Sequence, residues 1–286
     1  MRVLGFGDNV IDDFVDRRVQ YPGGNAVNVA VFTHELGADS SYLGVFGNDE
    51  LADYLKQSLV KAGVPFDHSV TKVGDTGWAA VQVVDGDRVF REANDGGVTV
   101  SDPFVLDDAT VEWIVNEFDL VHSAVYAAVA GELSKIADSN LLLTYDFSEE
   151  AEFRTDEELA KVCPFIELAL FSGAEGGREE LVKTLMRAVE AGASMALGTL
   201  GAEGAILWDG TALLEESAHE PDGPIVDSMG CGDAFVSAFI MSLLADGWVK
   251  QLRPTSAQLS DALIRGSEFA TKQLTKEGAF MNGRSY

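Results

Sequence analysis

The segment that most restricts how this chain can fold is Ala234-Phe235-Val236-Ser237-Ala238-Phe239-Ile240-Met241-Ser242-Leu243-Leu244, which is apolar around nearly its whole circumference. A helix without a polar face belongs in the interior of a fold. The uncharged run 234–245 is too short to cross a bilayer, so it reads as a buried helix. Gly230-Cys231-Gly232-Asp233 stands at its start. The first turn of a helix exposes unpaired N–H groups and the positive end of the helix dipole. Two glycines let the backbone turn sharply and approach a ligand closely, so the N–H groups of Gly230, Cys231 and Gly232 can form a concave anion site. Asp233 is out of place in such a turn. It either caps the helix, worth about 1 kcal/mol, or takes the proton of an acceptor hydroxyl beside a transferring phosphoryl group. On these residues alone, both readings stand.

Around this helix, strand-like and helix-like segments alternate, which predicts an α/β fold with a parallel sheet and crossover helices. Strands are expected at 3–7, 120–124, 141–147, 166–172 and 195–200, and helices at 25–36, 50–62 and 178–191. Two hairpins interrupt the rhythm. One flanks Asp85-Gly86-Asp87 and the other Asp209-Gly210. The first lies where a plain doubly wound sheet has no need of one. It predicts a small β lid, formed by about residues 13–22 and 72–94, with the segment 14–21 pairing to the hairpin. No repeat or low-complexity linker divides the 286 residues, so one domain is expected throughout.

Composition narrows the function. The 47 acidic residues against 20 basic ones give a net charge of −27, a surface that repels nucleic acid and anionic lipid. Nothing resembling a leader precedes the first strand-like run, and a cytoplasmic protein without nucleic-acid or membrane partners is expected. Cys163 and Cys231 lack metal-type spacing, and the four histidines are scattered, so neither a disulfide framework nor a zinc site is expected. Cys231 itself reads as a small space-filler or as a redox-sensitive thiol.

A second glycine turn, Tyr21-Pro22-Gly23-Gly24-Asn25-Ala26-Val27-Asn28, opens another apolar helix. Asn25 and Asn28 share one helical face and, as buried amides, need partners. Asn25 capping the helix and Asn28 bonding internally is one solution. Both gripping the hydroxyls of a polyol is the other.

Asp227-Ser228-Met229-Gly230-Cys231-Gly232-Asp233-Ala234-Phe235 resembles the C-terminal signature of the ribokinase-like (PfkB) carbohydrate kinases, departing from it only at Cys231, where alanine is commoner. Gly23, Gly24 and Asn28 match the family's N-terminal Gly-Gly-x-x-x-Asn element, with Asn25 on a variable position. The resemblance covers essentially the whole chain. It implies a three-layer α/β/α fold with a mostly parallel sheet and a β lid. It further implies Asp233 as base, Gly230 to Gly232 as anion hole, and ATP with Mg²⁺ as cofactors. Acceptor contacts would come from Asp12, Gly23, Gly24 and Asn28, with Asp8 and Asn25 as further candidates. Thr199-Leu200-Gly201-Ala202-Glu203-Gly204 is similar to the family's nucleotide loop, which assigns Thr199, Gly201 and Gly204 to ATP. Glu175 fits the end of an Asn-x-x-Glu element associated with Mg²⁺ and phosphates, although Ser172 occupies the Asn position. The resemblance also allows a monovalent cation near Asp227 and a homodimer paired through the lid.

Short matches in consistent order, among them Gly7-Asp8-Asn9, Asp87-Arg88-Val89-Phe90, Asp146-Phe147-Ser148 and Gly278-Ala279-Phe280, point within that family to the bacterial fructoselysine 6-kinases. Such an acceptor carries a zwitterionic tail, for which Arg91 is a candidate partner; the other reading of Arg91 is a solvated strand charge. A plain ketose, a sugar acid or a nucleoside is the alternative acceptor. A non-catalytic sugar- or nucleotide-binding regulator is the reading from another class.

Overall fold

The computed structural model describes residues 1–84, 87–173, 177–280 and 283–286, without the side chains of 83–90. The strands are β1 (Arg2–Gly7), β2 (Val10–Phe14), β3 (Val19–Gly23), β4 (Asp39–Phe46), β5 (Val70–Thr71), β6 (Trp78–Val84), β7 (Asp87–Ala93), β8 (Leu120–Ala124), β9 (Leu142–Asp146), β10 (Leu168–Ser172), β11 (Met195–Thr199), β12 (Ala205–Trp208), β13 (Leu213–Glu216) and β14 (Arg284–Ser285). The helices are α1 (Asn25–Glu35), α2 (Glu50–Ala62), α3 (Val98–Ser101), α4 (Asp108–Glu117), α5 (Ser134–Ala137), α6 (Asp156–Val162), α7 (Gly177–Glu190), α8 (Cys231–Ala245) and α9 (Ser256–Gln273).

One sheet has the order β13-β12-β11-β10-β9-β8-β1-β4-β5. Its strands from β5 to β11 pair in parallel, and β12 and β13 close that edge antiparallel. Such strands are buried on both faces, which is why they read as continuous apolar runs. Along β1, Val3 joins the cluster containing Phe235 and Phe239 of α8, whereas Leu4 and Phe6 join the opposite one with Leu181 and Leu185 of α7. The all-apolar helix is indeed interior: its residues 233–241 are all buried, and α1 and α9 pack against it. β4 eluded the sequence reading because it opens on polar Asp39-Ser40-Ser41.

After β1 the chain steps to β4 on one side and later returns to β8 on the other. This reversal between β1 and β8 leaves a crevice beyond the carboxyl ends of the strands, where open α/β sheets hold ligands. The residues delivered to that edge are Asp8, following β1, and Asp146, ending β9.

A second sheet, β14-β3-β2-β6-β7, stands beside the first. The single expected segment 14–21 is instead a hairpin, because Arg18 turns the chain with φ 53°. Its strand β2 pairs in parallel with β6, from Ile11 opposite Trp78 to Phe14 opposite Val81. β14 adds a fifth strand against β3 that no sequence signal announced. Asp85 and Gly86 of the expected turn lie outside the described residues. Among the described residues, no helix is long and apolar enough to cross a membrane.

Candidate active site

Asp233 occupies the first turn of α8, behind Gly230, which takes φ 70° as the N-cap. It does not cap its own helix; no side-chain cap bond is made there. Its oxygens instead receive amide hydrogens from α1: Asn28 Nδ2 donates to Oδ2 at 2.8 Å and Asn25 Nδ2 to Oδ1 at 3.2 Å. The two amides three residues apart therefore face one carboxylate, 92% buried, on another helix. Burial lifts the Asp233 carboxyl well above the usual carboxylate range; the Asn28 bond opposes this, and the charges of Asp146, Asp8 and Asp12 add to it.

The expectation that Asn25 caps α1 is corrected by Asp8. Asn25 N donates to Asp8 Oδ2 at 2.6 Å and Ala26 N to Oδ1 at 3.1 Å, so a carboxylate from another segment holds the exposed helix end. Gly24 is the N-cap and offers no side chain. The glycine pair is explained by crowding. A Cβ on Gly24, at φ 108°, would lie 2.8 Å from Asn9 Cα and Asp8 O, and one on Gly23 would lie 2.6 Å from Asp12 Oδ2. Asp12, in β2, is buried beside them.

Asp146 is the site residue that sequence reasoning missed. Its Oδ2 receives the same Asn25 Nδ2 at 3.1 Å, and its Oδ1 receives Ser148 N at 2.7 Å. Burial pushes its carboxyl up to about 6. The signal in the sequence was one acidic residue closing an apolar parallel strand, at the end where such sheets bind ligands. Arg154 lies nearby and donates to the backbone oxygens of Ser148 and Ser172. Among the described residues, the buried Oδ1 of Asn28 has no hydrogen-bond partner.

Thr199 ends β11, and the turn after it requires Gly204, at φ 100°, because a Cβ there would fall 2.0 Å from Glu216 O. This loop sits along the same sheet edge, four strand spacings from β1, or roughly 19 Å. Gly201 takes φ 55°, and among the described residues nothing lies within 4 Å of a Cβ on it or on Gly232. Asp227 braces the approach to α8, accepting from Met229 N at 3.0 Å and Gly278 N at 3.3 Å. Cys231 Sγ points toward Ala270 O of α9 at 3.7 Å. Arg91 is not brought to the cluster: it is exposed, and its Nε donates to Gln82 Oε1 at 2.8 Å. Glu175 lies outside the described residues. A separate groove of about 730 Å³, between α8 and α9, contains none of these carboxylates.

A buried carboxylate at a glycine-rich helix start, with a glycine loop along the same sheet edge, is an arrangement suited to phosphoryl transfer onto small hydroxyl compounds. The chain belongs to the pfkB family of carbohydrate kinases, whose model matches residues 8–282. It is 34% identical over 287 residues to fructosamine kinase FrlD of Bacillus subtilis, covering 100% of this chain and 95% of that one. It is 30% identical over 275 residues to fructoselysine 6-kinase of Escherichia coli, covering 96% and 97%. Among solved structures, the fold matches Arabidopsis thaliana ribokinase complexed with ribose and ATP (TM-score 0.77, 17% identity, 99% and 95% covered). It also matches an uncharacterized sugar kinase from Pyrococcus horikoshii (TM-score 0.77, 22% identity, 98% and 94% covered).

Proposed function

We propose that this carbohydrate kinase transfers the γ-phosphoryl group of ATP to the 6-hydroxyl of a fructosamine such as fructoselysine, with Asp233 as the base. The observation that carries this reading is the engagement of Asp233 by side chains of α1 rather than by its own helix end. A cap would spend its oxygens on backbone N–H groups. Here the carboxylate stands beside the Gly230–Gly232 turn at the start of α8. The acceptor's primary hydroxyl gives its proton to Asp233 and its oxygen attacks the γ-phosphorus in line, while ADP departs. N–H groups of Gly230, Cys231 and Gly232 stabilise the charge on the transferring group. Asp12, Gly23, Gly24, Asn25 and Asn28 border the acceptor, and Asp8 holds the α1 start that presents the two amides.

Thr199, Gly201 and Gly204 receive the nucleotide, with Glu175 and Asp227 assigned to the phosphate side by resemblance. The separation of that loop from β1 suits an extended nucleoside triphosphate. Mg²⁺ would be carried mainly by the ATP phosphates and water. When bound, it neutralises phosphate charge. The second sheet closes as a lid that excludes water. A cytoplasmic enzyme, a monovalent cation near Asp227 and a homodimer through the lid edge complete the reading.

The fructosamine assignment draws on the likeness to fructosamine kinase FrlD and fructoselysine 6-kinase. A coupled ADP-release assay over fructoselysine, fructose, ribose, 2-keto-3-deoxygluconate and adenosine tests it. The expected result is the highest kcat/KM with fructoselysine. Preference for another member of the series moves the chain to a different acceptor. ATP binding without turnover on any of them makes it a regulator.

A further inference from the structure

The Asn25 amide joins two carboxylates, one at the end of β9 and one in the first turn of α8. One nitrogen, Nδ2, donates both to Asp146 Oδ2 at 3.1 Å and to Asp233 Oδ1 at 3.2 Å. The carboxylates are therefore no more than two hydrogen-bond lengths apart. Both hydrogens of the amide are committed, which fixes its plane. Asn25 falls on a variable position of the family's glycine–asparagine element.

The Asp146 end is itself held firmly. Ser148, a non-glycine residue, takes the left-handed conformation at φ 58°, and from there its N–H reaches Asp146 Oδ1 at 2.7 Å. Such backbone strain persists only where surrounding structure enforces it. Arg154 anchors the same turn through the Ser148 carbonyl.

We propose that Asp146, acting through the Asn25 amide, is a positioning residue for Asp233 and sets the pH at which phosphoryl transfer switches on. The inference rests on Asp233 being the base. The groups facing Asp233 are Asn25 and Asn28 from α1, Asp8 beyond β1, Asp12 from β2 and Asp146 from β9. Arg154 acts on Asp146. Among the charges that raise the Asp233 carboxyl, that of Asp146 is the largest, behind burial itself. Two like charges at this separation, in a partly buried site, oppose each other's ionisation by about one to two pH units. Removing the Asp146 charge makes Asp233 lose its proton more readily. Removing the Asn25 donor takes away a bond that favours ionised Asp233, and does the opposite.

The test is the pH dependence of kcat/KM for Asp146→Asn and Asn25→Ala, with circular dichroism to verify folding and Asp233→Asn as reference. The acid limb should move to lower pH by about one unit or more in Asp146→Asn and to higher pH in Asn25→Ala. A residue that merely supports the fold would lower activity at every pH and leave the limb in place. Should Asp146→Asn fail to fold, the direction of the limb in Asn25→Ala decides. An unmoved limb in a folded variant, or a shift opposite to that stated, overturns the proposal while leaving Asp233 as base. Retained turnover in Asp233→Asn overturns the base assignment and this inference with it.

Discussion

Asp233 and Asp146 are carboxylates for which function and stability pull in opposite directions. Replacing Asp233 by Asn keeps its volume but removes the acceptor for the hydroxyl proton. We expect kcat to fall by at least about two orders of magnitude, while nucleotide binding measured by calorimetry persists. Asp146 titrates at about 6 in the fold against 3.8 for the free side chain. Between those values the native state holds more protons than the unfolded chain, so this group's contribution to stability falls as pH rises through that window and stays low above it. Asp146→Asn should therefore raise the melting temperature at pH 7.5, by about 2 °C or more, and by less at pH 4.5. An equal or larger gain at pH 4.5 would contradict this account of its burial.

At the scale of elements, the crevice depends on how closely α1 approaches β1. A Cβ on Gly5 would fall 2.0 Å from Ala26 O, and backbone cannot yield as a flexible side chain can. Gly5→Ala should cost about 1–3 kcal/mol in urea unfolding and lower turnover, because Asn25 and Asn28 ride on that helix. The other side of the fold is tied by Asp49. It caps α2 by accepting from Ala52 N at 2.8 Å, and it takes Thr76 N at 2.8 Å and Thr76 Oγ1 at 2.6 Å. Burial opposes its ionisation, but the Thr76 and Ala52 bonds outweigh this and hold its carboxyl below the ordinary value. Its contribution is present above pH 4 and is lost as pH falls through the depressed value. Asp49→Ala should cost about 1–2 kcal/mol at pH 7, seen as a lower urea midpoint.

Across the whole molecule, a net charge of −27 works against compaction. Raising sodium chloride from about 20 to about 500 mM shortens the range over which these charges repel. The melting temperature should rise over that interval; a fall would mean that specific ion pairs outweigh the general repulsion. On the proposed reading, the same field opposes an anionic nucleotide, and the start of α8 would supply local positive potential.

The chain's own periodicity determined the α/β class, the buried α8 and the two glycine turns, because apolar spacing and Gly placement act over a few neighbouring residues. Those turns also carried the resemblance that led to the kinase family. The role of Asp233 was not readable this way. A carboxylate at a helix start looks the same whether or not it caps, and only the amides of Asn25 and Asn28, arriving from a helix some 200 residues earlier, show that its oxygens are engaged away from its own helix end. Asp8 was legible as a site residue but not as the cap of α1, since its partners become neighbours only after β1 and α1 pack. Asp146 was harder still: its significance lies in one shared amide, set by the order of strands at the β1–β8 reversal. Local sequence selects the elements; which side chains meet depends on the topology that places strand ends side by side.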